Sequence, residues 1–225
     1  MYERSEPLLT LREAPVGDPA RGLIVFGAPR GGTSMVAGAL RILGADLGAR
    51  QGDGNNEDLD LLEARGELPA LHADRAAALQ RMRAWLAGRK EAQGVWGWKD
   101  PHAALYADAL LADLPAPRLL GVFRDPVACA ERVGLLTGKD RIAVARETLK
   151  LYEAGLVLLE NAAAPAGMIS YEKALVRPKR FLVSLAKFAG LTPERAQFEK
   201  ALVFISPERG HGNPDTMGWP REGAL

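Results

Sequence analysis

Leu23-Ile24-Val25-Phe26-Gly27-Ala28-Pro29-Arg30-Gly31-Gly32-Thr33-Ser34 is the stretch on which the reading of this chain turns. Its apolar start predicts a short strand, Leu23–Phe26, which the glycine- and proline-rich turn must end. Thr33 opens a helical pattern that runs to Leu43, with Gly44 placed to cap it. Strand, glycine turn and helix start in that order make an anion cradle. Gly31 and Gly32 let backbone N–H groups approach closely, the new helix directs its positive end at the ligand, and Thr33 and Ser34 add hydroxyl donors. Gly27-x4-Gly32 has the spacing of the Walker A loop, GxxxxGK[ST]. Thr33, however, stands at the lysine position, and Arg30 supplies the cation from inside the loop.

Outward from this unit, three more apolar runs predict strands at Val95–Trp98, Leu119–Phe123 and Met168–Tyr171. Helical length and spacing predict helices over Asp58–Leu68, Ala73–Ala87, Ala103–Leu111, Pro126–Leu136, Ile142–Ala163 and Pro178–Ala189, the last with Gly190 as its cap. Alternation of this kind implies an α/β fold with a mainly parallel sheet flanked by helices. Residues 1–20, broken by Pro7, Pro15, Gly17 and Pro19, read as a loose arm before a single domain over 21–225. The longest interruption between strands, about 45–94, is either a substrate-facing lid or a helical insertion that covers the sheet. Pro207–Leu225, rich in glycine and proline, reads as a long terminal loop.

Composition narrows the function classes. The 225 residues carry 29 Lys and Arg against 28 Asp and Glu, a formal charge of +1, so no global electrostatic footprint for nucleic acid or membrane exists and any anion site is local. Half the chain is apolar, at 48%, with mean hydropathy −0.08, as in an ordinary globular protein. The single Cys129 excludes an intrachain disulfide framework and a multi-cysteine metal site. With no apolar leader at the amino terminus and no run of about 18 apolar residues, the expectation is a cytoplasmic protein without a membrane span.

Four motifs in order resemble the sulfotransferases that use 3′-phosphoadenosine 5′-phosphosulfate (PAPS). Pro29-Arg30-Gly31-Gly32-Thr33-Ser34 is similar to their 5′-phosphosulfate loop, commonly PRSGTS. Trp98-Lys99-Asp100-Pro101 resembles their WKDP segment, Val122-Phe123-Arg124-Asp125-Pro126 their strand-to-RDP turn, and Tyr171-Glu172 with the helix after Pro178 their YE element. The resemblance spans Leu23 to Leu191. It implies the P-loop NTPase-like sulfotransferase fold, PAPS as cosubstrate and 3′-phosphoadenosine 5′-phosphate (PAP) as product. It also implies donor contacts from Arg30, Gly31, Gly32, Thr33, Ser34, Arg124 and Tyr171, with Arg124 on the 3′-phosphate. Physically, a nucleotide anionic at both ends requires two separated cationic sites at the carboxyl edge of a parallel sheet, and arginine suits bidentate phosphate contact.

Departures accompany the likeness. Gly31 replaces the usual serine, and Arg132 stands eight residues after Arg124, where the family often has a serine on the 3′-phosphate. Arg132 either reaches that phosphate or sits in solvent. Arg209-Gly210-His211-Gly212 loosely resembles the loop that closes over the 3′-phosphate, although a plain glycine-rich tail has the same composition. For catalysis the resemblance implies Arg30 on the phosphosulfate, Lys99 near the transferred group and Glu57, in Gly54-Asn55-Asn56-Glu57, as base; Asp53, His72, Asp100 and His102 are rival bases. No metal is required. The expected acceptor is a hydroxyl or amine on a small molecule or glycan. Alternatives are a P-loop nucleotide kinase or NTPase, which lacks its loop lysine here, and a noncatalytic nucleotide-binding module of the same fold.

Overall fold

A computed structural model describes residues 5–15, 18–50, 55–89 and 92–205. Five strands form one sheet: β1 (Leu8–Arg12), β2 (Arg21–Phe26), β3 (Trp96–Lys99), β4 (Arg118–Phe123) and β5 (Ala166–Ser170), in the order β1-β5-β4-β2-β3. β2 runs parallel to both β3 and β4, with Val25 opposite Lys99 and Ile24 opposite Leu119; β4 runs parallel to β5, with Val122 opposite Ile169. The expected mainly parallel α/β sheet is therefore present, and its four parallel strands all end on one edge.

Strand alternation divides the core into two layers. Leu23, Val25, Leu120 and Val122 face α1 (Thr33–Ile42), α8 (Pro178–Ala189) and α9 (Arg195–Phe204). Ile24, Phe26, Trp96, Trp98 and Leu119 face the opposite layer. That layer contains α2 (Leu59–Arg65), α3 (Leu68–Ala73), α4 (Arg75–Ala87) and α6 (Arg141–Asn161). Trp96 and Trp98, two residues apart, share this face, and both are fully buried. The remaining α-helices are α5 (Pro126–Thr137), which pairs with α6, and the short α7 (Tyr171–Val176).

Three readings of the sequence change. Leu8–Arg12, within the stretch read as a loose arm, is an edge strand antiparallel to β5. Leu8 alone of its leucines is buried, and Arg12 donates to the carbonyls of Ala164 and Leu159, contacts that sequence periodicity does not carry. Ala103–Leu111 forms two 3-10 segments, Ala103–Leu105 and Ala107–Asp113, in place of one α-helix. Between them Tyr106 leaves helical geometry at φ −146°, where its hydroxyl donates to Asp100 at 2.9 Å. Tyr171, read as the end of a strand, begins α7, with Ser170 as its N-cap accepting from Lys173 N–H.

The described helices of the insertion over 45–94 pack into the core through Leu61, Leu71, Ala78, Met82 and Leu86. Trp85 meets Trp98 edge-on at 5.5 Å, and Arg89 binds Asp46 at 2.8 Å and Asp58 at 3.3 Å. Gly190 caps α8 at φ 74°, as expected. Pro207–Leu225 lies outside the described residues.

Candidate active site at the carboxyl edge of the sheet

The parallel strands deliver four segments to one edge: the glycine loop after β2, Lys99 at the end of β3, Arg124 after β4 and Tyr171 after β5. In the loop, Gly31 N–H closes a turn on Ala28 O at 2.9 Å, Arg30 lies at φ 60° and Gly32 at φ 91°. A left-handed arginine costs about 1 kcal/mol and marks a backbone held by its surroundings. A Cβ on Gly31 would fall 2.8 Å from Ala28 O, and one on Gly32 would fall 2.1 Å from the Tyr171 ring. Glycine is therefore required at Gly32 twice over, by φ and by contact. At the N-terminus of α1, Gly32 provides no side-chain cap and the first turn holds no acid, so the helix end carries its positive potential uncompensated by either.

Arg124 joins the loop directly. Its guanidinium donates to Arg30 O at 2.9 Å and stands 4.7 Å above the Tyr171 ring, which itself rests on Gly32. Glu172 accepts the Asp125 N–H at 3.0 Å, while the Asp125 carboxylate caps α5 by accepting from Val127 N–H at 2.8 Å. The Tyr171-Glu172 pair thus holds the Arg124-Asp125 turn against the loop. Arg30 is exposed.

Beside the loop, Asn55–Glu57 links α1 to β3. Ser34 Oγ and Lys99 Nζ both donate to Asn55 O, at 2.9 and 3.0 Å, and Asn56 Nδ2 donates to Ser34 O at 3.2 Å. Lys99 Nζ then meets Glu57 Oε1 at 2.6 Å with its side chain only 2% exposed. Burial pushes the Lys99 ammonium's pKa down; the Glu57 charge opposes this, and the nearby Arg30 charge adds to it. The expected residues Arg30, Lys99 and Glu57 therefore belong to one cluster.

Other expected residues have different surroundings. Thr33 is buried, its Cγ2 3.1 Å from where a Gly27 Cβ would lie. Arg132 is exposed on α5. Asp100 is fully engaged by Arg65 at 2.5 Å, Tyr106 at 2.9 Å and His102 N–H at 2.9 Å. Burial works to raise its pKa, but the hydrogen bonds of His102 and the Arg65 charge prevail and bring it to about 2. A carboxylate so stabilised is a poor proton acceptor. His102 is tied to the same acid, with Nδ1 3.6 Å away, and His72 is exposed at the end of α3. Asp53, Arg209 and Gly210 lie outside the described residues.

Sequence reasoning missed Asn55, Asn56 and Tyr152. Asn56 is buried at φ 58°, a conformation asparagine tolerates, and the Asn-Asn pair was the available signal for a tight turn. Tyr152 lies in the middle of α6, within no motif.

Among the described residues no group of three or more His, Cys, Asp or Glu is arranged to hold a metal ion, and no helix is long and apolar enough to cross a membrane. No protein-family model matches the chain, and no curated protein matches it. Solved structures do. The sulfotransferase domain from the Synechococcus PCC 7002 olefin synthase is 15% identical, with a TM-score of 0.53 over 93% of this chain and 91% of that one. Sulfotransferase STF1 from Mycobacterium tuberculosis H37Rv is 14% identical, with a TM-score of 0.52 over 83% of this chain and 71% of that one. At such identities the likeness is one of fold, and the chain has the sulfotransferase fold.

Proposed function

We propose that the chain is a sulfotransferase that moves a sulfuryl group from PAPS to a hydroxyl or amine of a small-molecule or glycan acceptor. The observation that carries this reading is the contact of Arg124 with Arg30 O, 2.9 Å, which brings two arginine-bearing turns together over one sheet edge. A donor with an anionic group at each end needs that pairing, and a glycine loop with no room for a Cβ suits close backbone approach to phosphate. Bound there, PAPS supplies the sulfuryl group and a phosphate leaving group.

In this reading the chain's own residues divide the work. Arg30 and the N–H groups at the start of α1 hold the 5′ end, and Arg124, steadied by Tyr171, holds the 3′ end. Lys99 adds positive charge in a water-poor position, where it is worth more than in solvent. Glu57, with Oε1 engaged by Lys99, takes the acceptor's proton at Oε2. Calorimetry with PAP, compared with ATP and magnesium, tests the donor. PAP is expected to bind at least tenfold more tightly, and tighter binding of ATP would return the chain to the nucleotide kinases. Radiolabelled PAPS with an acceptor library then tests transfer. Donor binding without turnover across broad acceptor chemistry would leave the noncatalytic module.

A further inference from the structure

Tyr152 stands between the two halves of this site. Its hydroxyl accepts the Arg124 N–H at 2.9 Å and donates to Arg124 O at 2.8 Å, so one oxygen fixes both backbone polar groups of the residue. The same oxygen lies 3.4 Å from the position a Gly31 Cβ would occupy, against the glycine loop. The ring packs on Phe123 at 5.0 Å, and the side chain is 8% exposed. The Cys129 Sγ at 3.8 Å completes its surroundings. Burial pushes the pKa of the hydroxyl up, which keeps the proton that it donates.

We infer that Tyr152 is a positioning residue that sets the span between Arg30 and Arg124, and so the preference for a nucleotide phosphorylated at both ends over one phosphorylated only at the 5′ end. This rests on the proposed PAPS reading. The backbone of Arg124 is where its guanidinium is aimed from, and Tyr152 is the side chain that clamps that backbone from the loop side. Without the hydroxyl, Arg124 N–H and C=O lose their shared partner, and the guanidinium, still bonded to Arg30 O, is aimed from a backbone that is no longer clamped. Neither bond is made to the groups that hold the 5′ end, Arg30 and the start of α1.

Tyr152→Phe keeps the ring and removes only the oxygen. Titration of wild type and variant with PAP and with adenosine 5′-monophosphate, which lacks the 3′-phosphate, separates the roles. The expected result is about a tenfold loss of PAP affinity, with the monophosphate changed less than about twofold. Equal losses for both nucleotides, or none for PAP, would overturn the assignment. Wild type that does not prefer PAP to the monophosphate would instead overturn the donor reading. Phe123→Leu is the control: it removes the ring contact and keeps the hydroxyl, so its PAP preference is expected to stay at the wild-type ratio, and a matching loss would mean packing alone. Independently of any variant, the Arg124 amide is expected to be protected from hydrogen exchange in the free protein, and solvent-rate exchange would remove the clamp.

Discussion

Lys99 and Asp100 are neighbours at the end of one strand, both almost wholly buried, and they serve opposite sides of the molecule. Successive side chains of a strand point to opposite faces, so Lys99 turns toward the α1 layer, Asn55 and Glu57, while Asp100 turns toward Arg65, Tyr106 and the tryptophan layer. Asp100 gains more from its partners than it loses by burial. Lys99 loses more by burial than Glu57 returns. A buried charge stabilised by its partners holds the fold; one held at a net cost is a candidate for a role toward a ligand. The two can be told apart by whether their removal is felt in turnover or in stability.

The largest effects belong to the Lys99 side. Glu57→Gln and Lys99→Met are each expected to lower the turnover of PAPS-dependent transfer by about 10²- to 10⁴-fold, the range for removing a general base or a charge stabiliser, with the fold retained. Steady-state rates beside circular dichroism would check this. A Glu57→Gln enzyme with the wild-type rate and pH profile would hand the base role to another residue.

On the other side, Asp100→Asn strands the Arg65 charge and is expected to cost about 3 kcal/mol of stability, read from urea unfolding. Its pH dependence has a definite sign. The folded pKa, about 2, lies below the ordinary 3.8, so the contribution is complete above pH 4 and is lost as pH falls toward 2. That part amounts to about 2 kcal/mol, and the gap between wild type and Asp100→Asn should narrow by this much over the same interval. A constant gap would mean that Asp100 is not ionised in the way described.

How much of this division was legible beforehand follows from what sequence encodes. The glycine loop, the strand before it and the Arg124 turn are local patterns, in which each residue's requirement is set by its chain neighbours; the four parallel strands and the edge they share emerged from them. The edge strand β1 did not, because its pairing partner β5 is more than 150 residues away and Leu9 and Leu11 face outward. Nor did the parting of Lys99 from Asp100. The alternation is a property of any strand, but the partner that makes Asp100 structural, Arg65, comes from a helix of the insertion whose docking no local pattern reveals. Asn55 and Asn56 were visible as turn residues, yet their hydrogen bonds to Ser34 and Lys99 arise only once α1 and β3 lie side by side. Tyr152 had no local signal at all.

The smallest expected effect sharpens the contrast most, because it has the opposite sign. Lys99 is lowered from its ordinary pKa of 10.5, so below its folded pKa the native state carries the cost of a buried ammonium that the unfolded chain does not. As pH rises through that folded value toward 10.5, the native state sheds the proton while the unfolded state still holds it, and the cost disappears. Lys99→Met combined with Glu57→Gln, which leaves neither charge of the pair to bury, is therefore expected to be more stable than wild type by about 1 kcal/mol at neutral pH, with the difference closing in alkaline solution. Unfolding midpoints at several pH values would measure it. A double variant less stable than wild type at neutral pH would make the Lys99–Glu57 pair a structural bond like that of Asp100, and the two sides of β3 would no longer differ in kind.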